Sequence, residues 1–372
     1  MKTALAAAFA AAPVCNALAA SAVPAPAPLA STAKREACLM RPDADFAYLH
    51  DNAVFAFRGR LFAAWYNCPQ GEMIGTSVIR GKWSDDKGAT WSDVKLFAGG
   101  DDGFMRVPPA FGTDGESLYL FASRMAGVDI VRDCEIYRWD AASEKFESAG
   151  LMGFAFLPNT AMTRRTDGRW MIGGRRNEKG RGDQPLRPCI AVSETASVTG
   201  KWTFRDIAEE TIPGEGDAKW GCPEVALLAD GRELTAFVRI QDRGREGGLG
   251  HRVFTSADEG ETWSLAPSLP FALEPAKPAA GMLSDGRRYL VANPRAEGRN
   301  ALVIWLAEKG AKDFSKAYYL QKGASEATGC GFEWCYPSVI EYEGELYVIA
   351  STCTGVKVKN SSGLTIVKVG AL

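Results

Sequence analysis

The stretch GCPEVALLADGRELTAFVR, residues 221–239, indicates how this chain of 372 residues folds. A short apolar run leads into Asp230 and Gly231, and a second apolar run follows and ends at Arg239. Because Asp-Gly readily adopts the positive φ angles of a tight turn, the pattern predicts a β-hairpin. That hairpin would bring Glu224, which precedes its first strand, to the same edge of a sheet as Arg239.

The same hairpin pattern occurs six times at nearly even spacing along the chain. Each copy has a turn glycine followed by a run of apolar and aromatic residues, and successive turns are 53 to 63 residues apart. A strand-rich unit repeated at this period is typical of a four-stranded propeller blade. The sequence therefore predicts an all-β fold, a six-bladed β-propeller of four-stranded antiparallel blades. The turn glycines are Gly59, Gly115, Gly168, Gly231, Gly286 and Gly344.

Composition and charge exclude several classes of function. A hydrophobic content of 46% is enough for a large core, and a net charge of −2 gives no basis for binding nucleic acid or a membrane surface. The chain has only two histidines, His50 and His251, and no Cys-x-x-Cys pair, so we expect neither a metal site nor a cofactor. Eight cysteines remain beyond Cys15, and the sequence does not decide whether or how they pair.

The N-terminus has the features of an export signal. Residues 1–19 contain a lysine, an alanine-rich apolar run and an Ala-Leu-Ala site, which predicts a cleaved signal peptide and a secreted or periplasmic protein. Residues 20–44 are interpreted as a linker and lead-in, with the Pro/Ala stretch 23–28 outside the fold, and residues 45–372 as the propeller. No later apolar run reaches 18 residues, so we expect no membrane span, and we expect a monomer.

Two further motifs connect the chain to a known superfamily. Residues 84–91 and 256–263 both have the form S-x-D-x-G-x-T-W, in which the aspartate accepts backbone N–H bonds inside a turn and the tryptophan packs beneath it. With the six hairpins, these "Asp-boxes", or BNR repeats, resemble those of the sialidase (neuraminidase) superfamily over roughly residues 45–369. In that superfamily the boxes lie on outer hairpins far from the active site, so the resemblance gives them no catalytic role.

The resemblance implies an exo-glycosidase that acts on an α-linked acidic sugar, such as sialic acid, at the end of a glycan. In the superfamily, arginines hold the sugar carboxylate and a tyrosine activated by glutamate attacks the anomeric carbon. Tyr336 matches the nucleophile and Glu224 its activating glutamate. Arg239 and Arg299 match two of the three arginines, with Arg295 as the alternative to Arg299.

The first half of the chain departs from the family pattern. The stretch that should carry the first arginine reads YLHDN, residues 48–52, and contains no arginine. Arg106 is the candidate for the missing third guanidinium, from a neighbouring blade. Arg175, at the end of a blade-three strand, is a further candidate for substrate binding. The stretch MRVP, residues 105–108, should carry the general acid and has no carboxylate.

Asp51, or Asp101 and Asp102 just upstream of that stretch, are the alternatives for the acid. His50, beside Asp51, is a candidate acid or base because histidine titrates near neutral pH; His251 is interpreted as a surface residue. A polysaccharide lyase or rhamnosidase-like enzyme that uses His50 is therefore a second interpretation. A non-catalytic propeller that binds glycans through the same face is a third, because a fold alone does not fix a function.

Overall fold

The computed structural model describes residues 25–100, 102–177, 186–241, 250–325, 329, 333–354 and 359–372. The predicted signal peptide, Asp101 and Cys330 lie outside these residues. The described chain is almost entirely β-structure, with three short 3₁₀ turns at Ser31–Ala33, Gly298–Asn300 and Val369–Ala371. No helix within these ranges is both long and apolar enough to cross a membrane.

The strands are numbered here in chain order and grouped by blade. Two precede the first blade: β1 (Ala27–Pro28) and β2 (Lys34–Met40). Blades one and two contain β3 (Tyr48–Phe57), β4 (Arg60–Cys68), β5 (Val78–Ser84), β6 (Lys95–Ala98), β7 (Met105–Thr113), β8 (Leu118–Met125), β9 (Val131–Asp140) and β10 (Lys145–Leu151). Blades three and four contain β11 (Phe156–Pro158), β12 (Thr163–Arg164), β13 (Trp170–Arg176), β14 (Arg187–Ser193), β15 (Trp202–Asp206), β16 (Val225–Asp230), β17 (Glu233–Arg239), β18 (His251–Ser256) and β19 (Ser264–Leu265). Blades five and six contain β20 (Ala279–Met282), β21 (Arg288–Ala292), β22 (Ala301–Ala307), β23 (Lys316–Lys322), β24 (Cys335–Tyr342), β25 (Glu345–Thr352) and β26 (Ser361–Lys368).

The predicted fold class is confirmed. The strands form six sheets, one for each blade. Apart from the two N-terminal strands, the strands of each sheet are antiparallel and follow the chain from an inner to an outer strand, and in blade three the inner strand is split into β11 and β12. Each of the six predicted turn glycines joins the first two strands of a blade and has a positive φ, as at Gly231 with φ 60°.

The ring is closed by the N-terminal segment. The last strand, β26, pairs with β2, which becomes the outermost strand of blade six. This arrangement joins the two ends of the propeller through backbone hydrogen bonds, so the ring does not depend on side-chain packing alone. Seven residues of the segment interpreted as lead-in are therefore part of a blade.

Contrary to the sequence-based expectation, the Pro/Ala stretch does not lie wholly outside the fold. Its last two residues, Ala27 and Pro28, pair in parallel with Tyr318 and Tyr319 at the outer edge of blade five. Proline is tolerated there because an edge strand needs hydrogen bonds on one side only.

The core lies between neighbouring blades. Phe62 of blade one packs against Trp139 of blade two with ring centroids 5.1 Å apart, in an apolar cluster that joins the two blades. Similar clusters join the other neighbours, and one joins blade six to blade one around the fully buried Trp65 and Tyr347. Packing of this kind orients the blades so that one end of every inner strand faces a common cavity.

The two Asp-boxes have matching geometry. Asp86 accepts hydrogen bonds from the backbone N–H and hydroxyl of Thr90 at 2.8 and 2.6 Å. Asp258 makes the same pair of bonds to Thr262 at 2.9 and 2.6 Å. These bonds favour the ionised carboxylate and lower the pKa of both aspartates to about 2. Both boxes lie on outer hairpins, so their role is to stabilise turns.

Replacing Glu259 with alanine is expected to destabilise the fold by about 2–3 kcal/mol. Glu259 is buried in the blade-four Asp-box, and its carboxylate accepts hydrogen bonds from the backbone N–H and hydroxyl of Thr166 in blade three. The substitution removes a buried carboxylate together with both hydrogen bonds that it accepts from the neighbouring blade. Urea unfolding would measure the loss. The exposed Glu194→Ala is the control, expected to change stability by less than about 0.5 kcal/mol; equal effects would contradict the predicted role of this contact.

Candidate active site

A polar cavity of about 480 Å³ opens at the end of the ring where the inner strands begin. All six blades contribute to its lining, as expected for a propeller mouth. The lining includes His50, Asp51, Tyr66 and Glu72 of blade one; Val107, Pro108 and Asp129 of blade two; Leu157, Asn159 and Arg175 of blade three; Cys222, Glu224 and Arg239 of blade four; Arg299 of blade five; and Tyr336 and Lys359 of blade six.

Glu224 and Arg239 meet at the open end of the hairpin formed by β16 and β17. The last strand pair of that hairpin is Val225 with Val238, and the backbone N–H of Arg239 donates to the carbonyl of Glu224 at 2.9 Å. Their side chains form a buried ion pair with a distance of 2.5 Å between Arg239 Nη1 and Glu224 Oε2. Burial opposes ionisation of Glu224, but Arg239 and Arg175 outweigh it and lower the pKa of the carboxyl.

Tyr336 lies directly against this pair. Its Oη accepts a hydrogen bond from Arg239 Nη1 at 2.7 Å, so one guanidinium nitrogen contacts both the phenol and Glu224. Tyr336 has φ 56° in a bulge of β24, a left-handed conformation that is costly for a residue with a side chain. Burial and the charge of Glu224 raise its pKa well above the usual value, against the effect of Arg239 and Arg299. The phenol is therefore neutral at rest.

Three cations surround the Tyr336 ring. The guanidinium carbons of Arg239 and Arg299 lie 5.8 Å from the ring centroid, and the ammonium of Lys359 lies 5.5 Å from it. The Arg299 carbonyl accepts a hydrogen bond from the backbone N–H of Trp334 at 2.7 Å, which brings Arg299 beside the start of β24. Arg295, the alternative to Arg299, lies instead near Glu274, with an N–O distance of 3.7 Å.

Blade one contributes His50 and Asp51 from a bulge in β3. The His50 ring centroid is 4.1 Å from that of Tyr336. Asp51 has φ 52°, and its carboxylate forms a buried ion pair with Lys277 at 2.5 Å. Burial raises the pKa of Asp51 despite the nearby charge of Lys277.

Arg175 also faces the cavity, from the end of β13. Its Nη2 donates to Asp129 at 3.2 Å, and it lies close enough to Glu224 to help lower the pKa of that carboxyl. Burial disfavours the charge on Arg175, but Cys222, Asp129 and Glu224 outweigh it and raise the pKa of the guanidinium. Arg175 therefore lines the cavity, and its role in substrate binding stays a prediction.

Arg106 is not part of this cavity, contrary to the sequence-based expectation. Its guanidinium lines a separate cavity between blades one and two, where it pairs with Asp102 at 2.6 Å and Glu135 at 2.8 Å. Side chains alternate along β7, so Val107 faces the active-site cavity and Arg106 faces away. Arg106 therefore does not supply a third guanidinium, and Asp102 is held away from the cavity with it.

Several lining residues were missed in the sequence analysis, among them Glu72, Tyr66 and Lys359. Glu72 is exposed at the rim, in the connection after β4, and accepts a 3.4 Å hydrogen bond from the Tyr66 hydroxyl. One signal could have found it: the second strand of each blade ends at this face, as Arg239 shows for β17. The sequence gives no such signal for Lys359, because this residue precedes β26, an outer strand of blade six, and does not follow the second strand of a blade.

His251 is buried, so its interpretation as a surface residue is wrong. It pairs with Arg239 across β17 and β18, and its Nε2 lies 3.0 Å from the carbonyl oxygen of Ala276. Burial and the charge of Arg239 lower its pKa to about 4, against the opposing effects of the bond to Ala276 and the charge of Glu224.

Acidification is expected to destabilise the protein between pH 6.5 and about 4. In that window an unfolded histidine binds a proton, whereas folded His251 stays neutral, so the free energy of unfolding falls as the pH is lowered. His251→Gln, which keeps an amide donor for Ala276, should show a smaller loss. Urea unfolding at pH 7 and pH 4.5 would measure both proteins, and an unchanged loss in the variant would contradict the assignment.

The sequence profile of the BNR repeat-like domain family matches residues 137–348. No curated protein sequence matches the chain significantly. Solved structures with the same fold include a Trypanosoma rangeli sialidase, 15% identical, with a TM-score of 0.67 over 91% of this chain and 60% of that one. The chain therefore spans about three fifths of the length of that enzyme.

Two intramolecular trans-sialidases have similar folds. The leech enzyme is 11% identical, with a TM-score of 0.68 over 90% of this chain and 70% of that one. The Ruminococcus gnavus structure is 12% identical, with a TM-score of 0.68 over 90% of this chain and 98% of that one. At these identities the likeness establishes the six-bladed fold and leaves the chemistry to the residues of the cavity.

Proposed function

The chain belongs to the BNR repeat-like domain family, and we propose that it is a sialidase-like exo-glycosidase that removes an α-linked acidic sugar from glycans. The observation that carries this proposal is the contact series from Tyr336 through Arg239 to Glu224 at the base of an open polar cavity. A series of this kind supplies a nucleophile and a base that are both within hydrogen-bond reach of the same anion-binding guanidinium.

The cations support an anionic substrate. Arg239, Arg299 and Lys359 all lie within 6 Å of the Tyr336 ring, so a sugar whose anomeric carbon sits over the phenol would place its carboxylate among them. Guanidinium groups bind carboxylates through paired, charge-assisted hydrogen bonds. A neutral phenol is a suitable nucleophile here, because an ionised carboxylate would be repelled by the substrate's own charge.

The proposed reaction has two displacements at the anomeric carbon. Tyr336 Oη bonds to that carbon as the bond to the leaving oxygen breaks; the phenol proton passes to Glu224, and the general acid protonates the leaving group. Water then attacks the same carbon as the bond to Tyr336 Oη breaks; the deprotonated general acid takes a proton from the water, and Glu224 returns its proton to the tyrosine oxygen, which restores the phenol and releases the sugar. Arg239 now contacts both Tyr336 and Glu224, and it would turn toward the substrate carboxylate when the sugar binds, leaving the phenol free to donate to Glu224.

Two carboxyl groups are candidates for the general acid. Asp51 is buried and has a raised pKa, which suits a group that must carry a proton. Its carboxylate is, however, engaged in an ion pair with Lys277. Glu72 is exposed at the rim of the cavity, on the path by which a leaving group would depart. We propose Glu72 as the second candidate on this location.

Comparison of leaving groups distinguishes the two acids. An aryl leaving group needs little protonation, whereas a sugar leaving group needs it fully. The variant that lacks the acid is therefore expected to lose about 100-fold or more on sialyllactose but far less on an aryl sialoside. Asp51→Asn and Glu72→Gln would be assayed side by side on both substrates. Equal losses on the two substrates in both variants would exclude both residues as the acid.

The proposed function is tested by release of 4-methylumbelliferone from its sialic acid glycoside by the purified protein. Turnover supports the proposal. Binding of sialic acid without turnover would favour a glycan-binding propeller, and an unsaturated product from a uronic acid polysaccharide would favour a lyase.

We also propose that residues 1–19 direct export of the protein and that it is a monomer. N-terminal sequencing of the exported protein tests the first proposal, and light scattering tests the second.

A further inference from the structure

His50 has one ring nitrogen without a partner. It is only 2% exposed, yet it lines the active-site cavity, and its buried Nε2 makes no hydrogen bond among the described residues. A buried polar atom without a partner is costly, so each one in a native structure calls for an explanation, and a functional role is one of them. The other nitrogen, Nδ1, lies 2.8 Å from the Ser351 hydroxyl.

The contacts of Ser351 identify which nitrogen of His50 carries the proton. The Ser351 hydroxyl oxygen accepts hydrogen bonds from the backbone N–H of Asp51 at 3.2 Å and from the side-chain amide of Asn52 at 2.9 Å. Asn52 is held in this orientation because its Oδ1 accepts from the Ser362 hydroxyl at 2.7 Å. With both lone pairs occupied, the Ser351 hydroxyl has only its proton left to offer His50.

Nδ1 of His50 is therefore the acceptor, and in the neutral ring the proton resides on Nε2. The ring stays neutral because burial disfavours its charged form, and the charges of Lys359, Arg299, Lys277 and Arg239 lower its pKa further. The unpartnered Nε2 is thus a buried N–H donor on a residue of the cavity wall.

The neighbours of this donor indicate what it binds. The His50 ring contacts the Tyr336 ring, and Arg299 and Lys359 lie over the same tyrosine. An anion placed between Arg299 and Lys359 would have oxygen atoms on several sides, and a neutral N–H donor can bond one of them without adding charge.

We infer that Ser351 fixes His50 as a neutral Nε2–H donor and that this donor binds an oxygen of the substrate's anionic group, together with Arg299 and Lys359. The ligand class rests on the proposed function, whereas the tautomer does not. One consequence concerns the second interpretation of the sequence. Neither ring nitrogen is free to accept a proton from a substrate, so His50 does not serve as the base of a lyase.

The tautomer is tested by NMR of the ¹⁵N-labelled protein at pH 7. The chain has only two histidines, so a long-range ¹H–¹⁵N spectrum contains two rings, and His251→Gln assigns them. We expect Nε2 of His50 at the shift of a protonated nitrogen and Nδ1 at that of an unprotonated one. A protonated Nδ1, or an imidazolium, would overturn the inference whether or not the protein is active.

The donor role is tested by sialic acid binding, measured by calorimetry. Loss of a hydrogen bond to a charged group predicts that His50→Phe binds roughly 10- to 100-fold more weakly. His50→Gln, whose amide can replace the Nε2–H, should bind within a few-fold of wild type. The Nε2 resonance of the wild-type protein should shift when sialic acid is added.

Three outcomes separate this inference from the proposed function. Wild-type affinity in His50→Phe, or an unmoved Nε2 resonance at saturation, would overturn the donor role while leaving a sialidase intact. Failure of the wild-type protein to bind or cleave sialosides would overturn the proposed function and the ligand together. The NMR spectrum decides the tautomer in every case.

Discussion

Replacing Tyr336 with phenylalanine is expected to reduce turnover of an aryl sialoside by at least 1,000-fold while the protein stays folded. The substitution removes one oxygen, and with it the atom that forms the bond to the anomeric carbon, so no covalent route remains. The aromatic ring that packs on His50 is kept. Steady-state assays would measure the loss, and thermal unfolding would verify the fold.

Tyr342→Phe is the matched control for that experiment. Tyr342 is a partly buried tyrosine at the opposite end of the same strand, β24, far from the cavity. It should retain wild-type turnover. If Tyr336→Phe retained more than about a tenth of the activity, the phenol would not be the nucleophile, and the proposed mechanism would be wrong.

Replacing Arg239 with methionine is expected to destabilise the protein by about 3–5 kcal/mol and to abolish activity. Both members of the ion pair are buried, so the substitution leaves the charge of Glu224 in the protein interior without its direct partner, and only the more distant charges of Arg175 and Lys277 remain. It also removes the hydrogen bond to Tyr336 and one carboxylate-binding group. Urea unfolding would measure the stability and the aryl sialoside assay the activity.

Two further variants separate stability from function at this site. Arg239→Met combined with Glu224→Met removes both charges, so stability should largely recover while activity stays absent. Arg288→Met is the control, because it breaks an ion pair that is partly exposed. Its partner Asp230 keeps contact with water, so the protein should lose less stability than in Arg239→Met. Equal destabilisation by Arg288→Met and Arg239→Met would contradict the prediction that burial of Glu224 makes the loss of its partner costly.

The fold could be predicted from the sequence because each blade carries its own local signal. A turn glycine between two apolar runs is readable within about 20 residues, and repetition of the unit fixes the architecture. The contact of Glu224 with Arg239 was predictable for the same reason, since one hairpin places both. Closure of the ring by β2 was not, because a single strand gives no evidence of a partner more than 300 residues away.

The site was less predictable where it depends on strand register or on distant contacts. Arg106 was expected in the cavity. Because side chains alternate along β7, its guanidinium points instead into a separate pocket between blades one and two. The pairing of Asp51 with Lys277 joins residues 226 positions apart, and Lys359 reaches Tyr336 from an outer connection. Family resemblance identified Tyr336 and Arg299 as candidates but gave no evidence for Lys359.

The central claim is that Tyr336 forms a covalent bond to an acidic sugar, and trapping that bond tests it most directly. The protein would be incubated with 2,3-difluorosialic acid, digested and mapped by mass spectrometry. We predict one added sugar, on the peptide that contains Tyr336, and none in Tyr336→Phe. A sugar attached to another residue, or none in a protein that turns over sialosides, would contradict the claim.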